Sequence, residues 1–526
     1  MKKLLILLTI IINPVLAQAP RELNVIFEVA GQDSGALLGS YVKGVGDLNK
    51  DGYDDVAVSA PGQLLTYVYY GGETMNQQPS LILAGGGTIT SGDLNGDTWN
   101  DLAIERYYRN TVNIFWGGLN MDEVPDITLN SENRYDGFGR NSLGTGDING
   151  DGITDLIIGA AAYPYVDTVT NNYWKGKLYV YAGSNQFDTI PKVTFEGDTT
   201  NARIGFDLMV ADVNNDGKMD IIALGYNKLI NVIGSNRYFC FSVFLGDSNF
   251  ILSKDYYVSS ENISLPFKDH ITCFDSDGDN IDDILVNKVY IFKGGNQLDT
   301  IPTYYVAPPN NDTISFGSYP WVSGGGDFNG DGFNDMLISR TEGYPFGVPG
   351  FYLYLNRLNH PGQYVAYRVF SEYWWHSKLY GRPENAGDVN GDGVDDIITG
   401  APNEYLNNEG FFGIYSGDTT LVTDVKDIQQ INPGDFNLKQ NYPNPFNPET
   451  TIEYTLEKRE QITIKIFDSI GKEVITLINN EDQSAGKHSI KWGGTDESGN
   501  KLSSGVYYYQ LITTGNKQTK KTILLK

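Results

Sequence analysis

Short apolar runs recur along most of the chain, and each one follows a loop rich in aspartate and glycine. The runs are VAV, LAI, LII, IIA, ILV, MLI and IIT. Later in each repeat come strands in which aromatic and other residues alternate, such as TYVYYGG, KLYVYAG and FFGIYSG. Patterns with the period of a helix are almost absent. This arrangement predicts four strands per repeat and an all-β chain.

The acidic loop has the pattern D-x-[DN]-x-D-[GTN]-x-x-D and occurs seven times. Its copies begin at Asp47, Asp93, Asp147, Asp212, Asp275, Asp327 and Asp388. A repeat of this length is typical of solenoids, propellers and arrays. Seven four-stranded units closed in a ring predict a seven-bladed β-propeller over residues 18–425, and an open array is the alternative. Residues 24–40 resemble the junction of two repeats, so we expect them to supply the outer strand of the last blade.

The spacing of the acidic residues in the loop indicates a metal site. Carboxylates at positions 1, 3 and 5 of a tight loop converge on one centre, and glycine at position 6 permits the turn. Ca²⁺ takes roughly six to eight oxygen ligands, whereas Mg²⁺ demands a stricter octahedron. Position 12 is never glutamate and the flanks are strands, so the loop is not an EF-hand. We expect up to seven structural calcium ions; the alternative is that the loops are only Asp/Asn/Gly turns.

Each predicted site uses the side chains at positions 1, 3, 5 and 9 and the carbonyl oxygen at position 7. The predicted ligands, loop by loop, are Asp47, Asn49, Asp51, Tyr53 and Asp55; Asp93, Asn95, Asp97, Trp99 and Asp101; Asp147, Asn149, Asp151, Ile153 and Asp155; Asp212, Asn214, Asp216, Lys218 and Asp220; Asp275, Asp277, Asp279, Ile281 and Asp283; Asp327, Asn329, Asp331, Phe333 and Asp335; Asp388, Asn390, Asp392, Val394 and Asp396. Position 6 holds Thr98 in the second loop and Asn280 in the fifth. Because threonine adopts a left-handed backbone poorly, we expect the second site to be the weakest or empty.

The loops are part of a longer pattern, F-G … D-x-N-x-D-G-x-x-D … G-A-P, which resembles the FG-GAP repeat of integrin alpha-subunit propellers and many bacterial surface proteins. The FG positions are Phe138-Gly139, Phe316-Gly317, Leu38-Gly39, Ile204-Gly205 and Tyr380-Gly381, and the GAP positions include Ser59-Ala60-Pro61 and Gly400-Ala401-Pro402. The resemblance covers about residues 24–425. It implies a seven-bladed propeller with calcium loops on one face and ligand-binding loops on the other, and it implies no particular ligand.

The beginning of the chain has the pattern of a secretory signal peptide. Two lysines precede an apolar run from Leu4 to Ala17, and small residues occupy positions 15 and 17. This pattern predicts a leader over residues 1–17. A permanent membrane anchor is the alternative, but the run is short for about 30 Å of hydrocarbon. We expect a protein that is secreted or held at the outer cell surface.

The last part of the chain has a different composition. The acidic excess ends near NYPNPFNPET (residues 441–450), and short alternating strands follow. The pattern predicts a linker over residues 426–440 and a small Ig-like β-sandwich over residues 441–526. The run WGGTDESGNKLSSGVYYYQL (residues 492–511) resembles the C-terminal sorting domain of the type IX secretion system, and also the Ig-like domain of the flagellar hook-capping protein. The first resemblance implies contact with outer-membrane secretion machinery; an ordinary accessory module is the alternative.

The composition narrows the possible functions. With 65 acidic against 38 basic residues, a nucleic-acid-binding surface is not expected. Cys240 and Cys273 both lie in strand-like runs, either as two buried thiols or as one disulfide. Only four histidines occur, and HExxH, G-x-S-x-G and Walker motifs are absent. We expect a non-catalytic module for adhesion or recognition; the alternative is a secreted polysaccharide-active hydrolase or lyase, whose scattered acids would leave no motif.

Aromatic residues cluster in loops that the strand order of a propeller places opposite the calcium loops. Exposed aromatic rings concentrate binding energy and stack on sugars or proteins, although such rings also fill gaps between blades. The candidates for contact with an extracellular protein or glycan are Tyr163, Tyr165, Tyr173, Trp174, Tyr344, Phe346, Tyr373, Trp374 and Trp375.

Overall fold

The computed structural model describes residues 11–13, 16–17, 23–165, 174–226, 239–259, 270–286, 290–306, 321–339, 351–356, 364–369, 382–402, 408–421 and, with short gaps, 437–525. These residues form β-strands and no helix, which confirms the predicted all-β class. The described part of the chain accordingly has no helix that is long and apolar enough to cross a membrane. The chain divides into two compact units, Met1–Asp424 and Val425–Lys526.

The first unit contains seven four-stranded antiparallel sheets. Sheet 1 consists of Val42–Gly46, Asp55–Ala60, Leu65–Tyr69 and Leu81–Ala84, and sheet 2 of Ile89–Gly92, Asp101–Glu105, Thr111–Phe115 and Ile127–Asn130. Sheet 3 consists of Phe138–Gly146, Asp155–Ala160, Lys177–Tyr181 and Val193–Glu196, and sheet 4 of Asp207–Ala211, Asp220–Tyr226, Phe239–Phe244 and Tyr256–Ser259. Sheet 5 consists of Ile271–Phe274, Asp283–Val286, Tyr290–Phe292 and Tyr304–Val306, and sheet 6 of Val322–Gly326, Asp335–Ser339, Phe351–Asn356 and Tyr364–Val369. Sheet 7 consists of Arg382–Gly387, Asp396–Gly400, Phe411–Tyr415 and Val25–Ala30. Within the predicted leader, Ile11–Asn13 and Leu16–Ala17 add short parallel strands to the outer edges of sheets 5 and 6.

The seventh sheet takes its outer strand from the beginning of the unit. Val25–Ala30 pairs antiparallel with Phe411–Tyr415, as predicted for residues 24–40. The ring of Phe27 lies 5.4 Å from that of Tyr69 and 6.0 Å from that of Phe412, measured between ring centroids. Sheet hydrogen bonds and aromatic packing therefore join the two ends of the unit.

The seven sheets form a closed cycle. The first strand of each sheet packs against the first strand of the next, and that of sheet 7 packs against that of sheet 1. Seven buried hydrophobic clusters follow the same order, one between each pair of neighbouring sheets. The cluster between sheets 7 and 1 contains Phe412, Ile414 and Val56. This cycle is the arrangement that a seven-bladed propeller requires, whereas an open array would leave one pair of sheets unpacked.

The second strand of each sheet is covered on both faces by the neighbouring sheets. In sheet 1, the side chains of Val56, Ala57 and Val58 are all fully buried. A strand buried on both faces has apolar residues in succession, because neither face is left for polar side chains. This burial explains the continuous apolar runs in the sequence.

The FG and GAP positions meet where one sheet follows another. Gly39 has a φ of +82°, and a Cβ at this position would lie 2.2 Å from the carbonyl oxygen of Phe411 and 3.0 Å from Cα of Gly400. Gly205, with a φ of +77°, approaches Gly159 in the same way. Glycine is required here both for the left-handed backbone and for the close approach. The repeat motif therefore marks a packing point between neighbouring sheets.

The second unit is a sandwich of two antiparallel sheets, as predicted. One sheet consists of Asn437–Leu438, Thr450–Leu456 and Gly486–Trp492, and the other, in spatial order, of Glu473–Gln483, Glu460–Phe467, Gly505–Ile512 and Lys517–Leu524. Tyr454, Trp492 and Tyr509 are buried in its core. The unit therefore has a hydrophobic core of its own.

The two cysteines are free thiols and form no disulfide. Cys240 lies in the third strand of sheet 4, and Cys273 lies in the first strand of sheet 5. Burial raises the pKa of Cys240 to about 11. The sequence left open two thiols or one disulfide, and the structure supports two thiols.

Candidate functional site

Every predicted metal loop connects the first and second strands of a sheet. In all seven loops, the aspartate at position 9 is the first residue of the second strand. Since the sheets are arranged in a ring with the same strand order, the loops share one face of the ring. The predicted ligand residues all lie in the described part of the chain.

The aspartate at position 9 fastens each loop to the rest of its sheet. In the first loop, Asp55 is fully buried and accepts hydrogen bonds from the N–H groups of Leu48 and Gly71, both at 2.8 Å. Leu48 belongs to the loop, and Gly71 follows the third strand. The same pair of hydrogen bonds occurs in the other six loops. Each carboxylate therefore joins three segments of its sheet.

The backbone of the loop orients the other predicted ligands. In the third loop, Asp147 accepts hydrogen bonds from the N–H groups of Gly150, Asp151 and Gly152 at 2.7, 3.1 and 2.7 Å. Asp151 in turn accepts one from Ile153 at 2.9 Å. The aspartate at position 1 is held by backbone N–H groups in the other six loops too. Oδ2 of Asp147 accepts only the N–H of Gly152 and so keeps a lone pair for a cation, whereas Oδ1 accepts the other two N–H groups.

The fifth loop shows most directly that a cation fits. Asp275, Asp277 and Asp283 each place one carboxylate oxygen within 4.8 Å of the others. Two oxygens bound to one Ca²⁺ lie at most about 5.2 Å apart, so the spacing suits this ion. Oδ1 of Asp277 is buried and has no hydrogen-bond partner among the described residues. A bound cation would satisfy such an oxygen.

A cationic side chain from the segment after the third strand reaches the fifth loop. Nζ of Lys293 contacts Oδ2 of Asp277 and lies 2.9 Å from Oδ2 of Asp279. Burial lowers the pKa of Lys293, but the hydrogen bonds and charges of these two carboxylates outweigh it and raise the pKa. A calcium ion in this loop would have to compete with the ammonium group.

Neighbouring loops are hydrogen-bonded to one another. The N–H of Thr154, in the third loop, donates to the carbonyl of Asp93, in the second loop, at 3.1 Å. The N–H of Asp54 donates to the carbonyl of Asp388 at 3.1 Å and links the first loop to the seventh. An ion bound in one loop would therefore also support the contact with the adjacent sheet.

The second loop has a strained backbone at position 6. Thr98 has a φ of +74°, and Asn280 in the fifth loop has a φ of +64°; the glycines at this position in the other loops have φ values of +81° to +93°. A left-handed conformation costs a residue with a side chain roughly 1–2 kcal/mol, and a β-branched side chain tolerates it least. Lys50 donates a hydrogen bond to Oγ1 of Thr98 at 2.9 Å, but this contact is exposed to solvent.

We predict that Thr98→Gly raises the free energy of unfolding by about 0.5–1 kcal/mol, because relief of strain exceeds the added freedom of the unfolded chain. The reverse change in the third loop, Gly152→Thr, serves as the matched control and should destabilise the protein. Urea unfolding in the presence of calcium measures both effects. A destabilising Thr98→Gly, or a neutral Gly152→Thr, would contradict this interpretation of position 6.

Three of the nine predicted aromatic contact residues lie in the described part of the chain: Tyr163, Tyr165 and Trp174. The other six lie outside the described residues: Tyr173, Tyr344, Phe346, Tyr373, Trp374 and Trp375. Tyr163 is half-buried and donates a hydrogen bond to Oε2 of Glu132 at 3.1 Å. Arg203 lies 4.3 Å from the ring of Trp174. Tyr165 is 41% exposed and is the most accessible of the three.

Tyr165 is part of an exposed patch that the sequence analysis did not find. Its ring lies 5.3 Å from the ring of Tyr135, which is 51% exposed and has Arg134 at 4.9 Å. In the neighbouring loop, Tyr108 is 60% exposed and lies 4.5 Å from Arg140. We call these five residues the aromatic patch. In the sequence, Tyr108 and Tyr135 each stand beside an arginine, in RYYRN and NRYDG, but Arg140, which contacts Tyr108, lies outside both runs.

A second cluster lies at the centre of the ring, at the starts of the first strands and therefore opposite the metal loops. A cavity of about 110 Å³ is lined there by residues from all seven sheets. His270 stacks on Trp321 with ring centroids 3.6 Å apart. Nδ1 of His270 lies 2.8 Å from Oδ2 of Asp207, and Nε2 lies 2.8 Å from the carbonyl oxygen of Val322. Both partner oxygens can accept a hydrogen bond, so the two contacts hold the imidazole ring in place against Trp321.

Glu105 is a buried acid at the end of the second strand of sheet 2. It is 2% exposed, and its Oε2 has no hydrogen-bond partner in the described part of the chain. Burial raises the pKa of Glu105 to about 7, although a backbone hydrogen bond from Thr88 and the charge of Arg140 act in the opposite direction. Between pH 4.5 and 7, the folded protein therefore holds a proton that the unfolded chain has released, so the contribution of Glu105 to stability falls as the pH rises through this window.

We predict that Glu105→Gln, which cannot ionise, becomes more stabilising relative to wild type as the pH increases from 5 to 8. Urea unfolding of both proteins at a series of pH values, with calcium present throughout, measures the difference. Because every other titratable group is the same in the two proteins, its contribution cancels in the difference between their free energies of unfolding. A difference that does not change with pH would show that Glu105 is not the buried acid that titrates in this range.

Comparison with known families agrees with the repeats in the structure. Residues 139–181 and 385–415 match the FG-GAP repeat, and residues 47–104 match an FG-GAP-like repeat. Residues 447–517 match the FlgD Ig-like domain. The chain therefore contains FG-GAP repeats followed by a FlgD-type Ig-like domain.

Similar individual proteins cover parts of the chain. Phosphatidylinositol-glycan-specific phospholipase D of Rattus norvegicus is 26% identical over 214 residues, which are 36% of this chain and 24% of that protein. The matches cover between 9% and 24% of the length of the curated relatives. FlgD from P. aeruginosa is 28% identical, covering 14% of this chain and 60% of that chain, with a TM-score of 0.13. PorZ, a surface component of the type IX secretion system of Porphyromonas gingivalis, is 11% identical, covering 93% of this chain and 75% of that chain, with a TM-score of 0.19. Both TM-scores are below the range that indicates a shared overall fold.

Proposed function

We propose that the protein is a calcium-binding FG-GAP propeller, secreted or held at the outer cell surface, that serves as a non-catalytic module for adhesion or recognition. The ring of seven loops supports the calcium assignment, because every loop combines an all-oxygen set of side chains with a backbone that orients them. Bound calcium would neutralise the clustered carboxylates and hold the loops together. The residues that would bind it are those at positions 1, 3, 5, 7 and 9 of each loop.

The loops would not all bind calcium equally. Thr98 strains the second loop, and Lys293 competes for the carboxylates of the fifth. We therefore infer that calcium occupies the first, third, fourth, sixth and seventh loops at lower concentrations than these two. Seven ions remain the upper limit.

The aromatic patch is the observation that carries the recognition function. Tyr108, Tyr135 and Tyr165 are exposed together on the face opposite the metal loops, and arginines lie against two of these rings. The N–H of Gly137 donates to Oδ1 of Asn110 at 2.9 Å and joins the two loops that hold the patch. Tyrosine and arginine are the residues that most often dominate binding energy at interfaces. An extracellular protein or glycan is the partner that this chemistry suits.

We predict that the full chain binds saturably to at least one member of a panel of polysaccharides and matrix proteins when calcium is present. The double change Tyr135→Ala and Tyr165→Ala should weaken this binding about tenfold, as expected for central aromatic contacts. Tyr508→Ala is the matched control, because it removes a tyrosine that is 37% exposed in the second unit. Equal binding by all three proteins would contradict the assignment of the patch, and time-dependent product release from a polysaccharide would favour the hydrolase or lyase alternative.

We further propose that the second unit directs export through the outer-membrane machinery of type IX secretion. The support is the Ig-like sandwich, together with the resemblance of residues 492–511 to the sorting domain. On this proposal, the first unit carries recognition and the second unit determines delivery. Whether the second unit is then removed does not alter this division.

We predict that a chain ending at Gly434 stays in the periplasm of the native host, whereas the full chain reaches the surface or the medium. Cell fractionation with detection of the first unit measures the distribution. The first unit has its own closed cycle of sheets, so proteolytic resistance of the shortened chain serves as the control for folding. Normal delivery of a folded, shortened chain would refute the sorting role.

A further inference from the structure

The central cavity contains cationic groups that no other feature of the protein accounts for. Lys43 and Arg382 line it from the neighbouring sheets 1 and 7. Within the described chain, neither side chain forms an ion pair with a carboxylate. In a chain with a net charge of −27, two cations without acidic partners at the centre of the ring are unusual.

The two acids that line the cavity are already engaged by donors. Oδ2 of Asp207 accepts hydrogen bonds from His270 and from the N–H of Ile271, at 2.8 and 3.1 Å. Oε1 of Glu384 accepts a hydrogen bond from Nε1 of Trp321 at 3.0 Å. These carboxylates therefore hold His270 and Trp321 in place and do not neutralise Lys43 or Arg382 directly.

Arg382 and a neighbouring tyrosine–asparagine pair supply donor groups to the lining of the cavity. The guanidinium lies 4.3 Å from the ring of Trp321 and 5.2 Å from that of Tyr41. The Tyr41 hydroxyl donates a hydrogen bond to Oδ1 of Asn141 at 2.7 Å. The amide nitrogen of Asn141 is then left as a donor. The cavity thus presents an ammonium, a guanidinium and an amide N–H, which are groups that an anion accepts from.

The cavity is suited to a carboxylate. Its volume of about 110 Å³ is smaller than a cavity of about 150 Å³ that accommodates benzene, so it admits a group of a few atoms and not a whole hexose. Trp321 already contacts His270 and Arg382, so its ring is not free to stack on a sugar. The planar guanidinium of Arg382 matches a carboxylate in a two-point hydrogen-bonded pair, and Lys43 adds a second cationic donor to the same lining.

We propose that the central cavity is a binding site for a carboxylate group, held by Arg382, Lys43 and the amide of Asn141, on a small organic acid or at the acidic end of a larger ligand. The site is separate from the aromatic patch and from the metal loops. It does not depend on the proposed adhesion function.

Acetate is the probe for this site, because it is a carboxylate with one additional carbon. Saturation-transfer NMR on the full chain, with calcium present and at constant ionic strength in chloride, should show binding of acetate, with a weak affinity in keeping with its few atoms. Lys43→Gln should weaken binding several-fold, and Arg382→Gln should weaken it at least tenfold. Lys491→Gln, which removes an exposed lysine of the second unit, should change nothing.

Arg382 packs on two rings, so Arg382→Gln can also destabilise the first unit. Lys43→Gln then decides the question, since Lys43 is half-buried and makes no such ring contact with the described residues. Absence of acetate binding to the wild-type protein, or equal binding by Lys43→Gln and Lys491→Gln, would overturn the proposal. Sulfate that displaces acetate at a lower concentration than formate does would assign the cavity to a tetrahedral anion and overturn the assignment to a carboxylate. Weaker acetate binding in Lys43→Gln, with formate the better competitor, would support both the site and its assignment to a carboxylate.

Discussion

The buried aspartate that begins the second strand of every sheet is the residue on which the other features of the first unit depend. Asp55 is fully buried, and its two oxygens join the loop to the residue after the third strand. Two backbone N–H groups compensate only part of the cost of burying this charge, and burial raises the pKa of Asp55 to about 7. The chain repeats this arrangement seven times on one face. A divalent cation in each loop would supply the missing compensation, and this requirement is the strongest physical reason to expect calcium.

The predicted metal loops and the two proposed binding surfaces lie at opposite ends of the same strands. At the loop end, hydrogen bonds within and between loops fix the backbone, so side chains there have little freedom to vary. At the other end, the connections are free to differ from one repeat to the next. The aromatic patch arises there from two neighbouring connections, and the cavity arises from the seven first strands together. On the proposed function, the repeats supply the ring, and the differences between repeats would supply the chemistry of recognition.

The sequence predicted the features that depend on residues close together in the chain. The loop spacing, the doubly buried apolar runs and the outer strand formed by Val25–Ala30 all follow from local patterns. The cavity could not be predicted, because its groups come from different repeats; His270 and Asp207 are 63 residues apart. The ion pair between Lys293 and Asp277 was missed for the same reason, since one residue follows the third strand and the other lies in the loop. Tyr135 was missed because a single tyrosine beside an arginine has no periodic signal.

The most direct test of this account is the melting temperature of the full chain with calcium and with an excess of EGTA. Occupation of even one loop at a calcium concentration a hundred times its Kd stabilises the folded state by about 2.7 kcal/mol. With several loops occupied, we predict that EGTA lowers the melting temperature by about 5 °C or more and that added calcium, but not magnesium, restores it. Identical melting curves in calcium and EGTA would show that the loops are only acidic turns and would contradict the central claim.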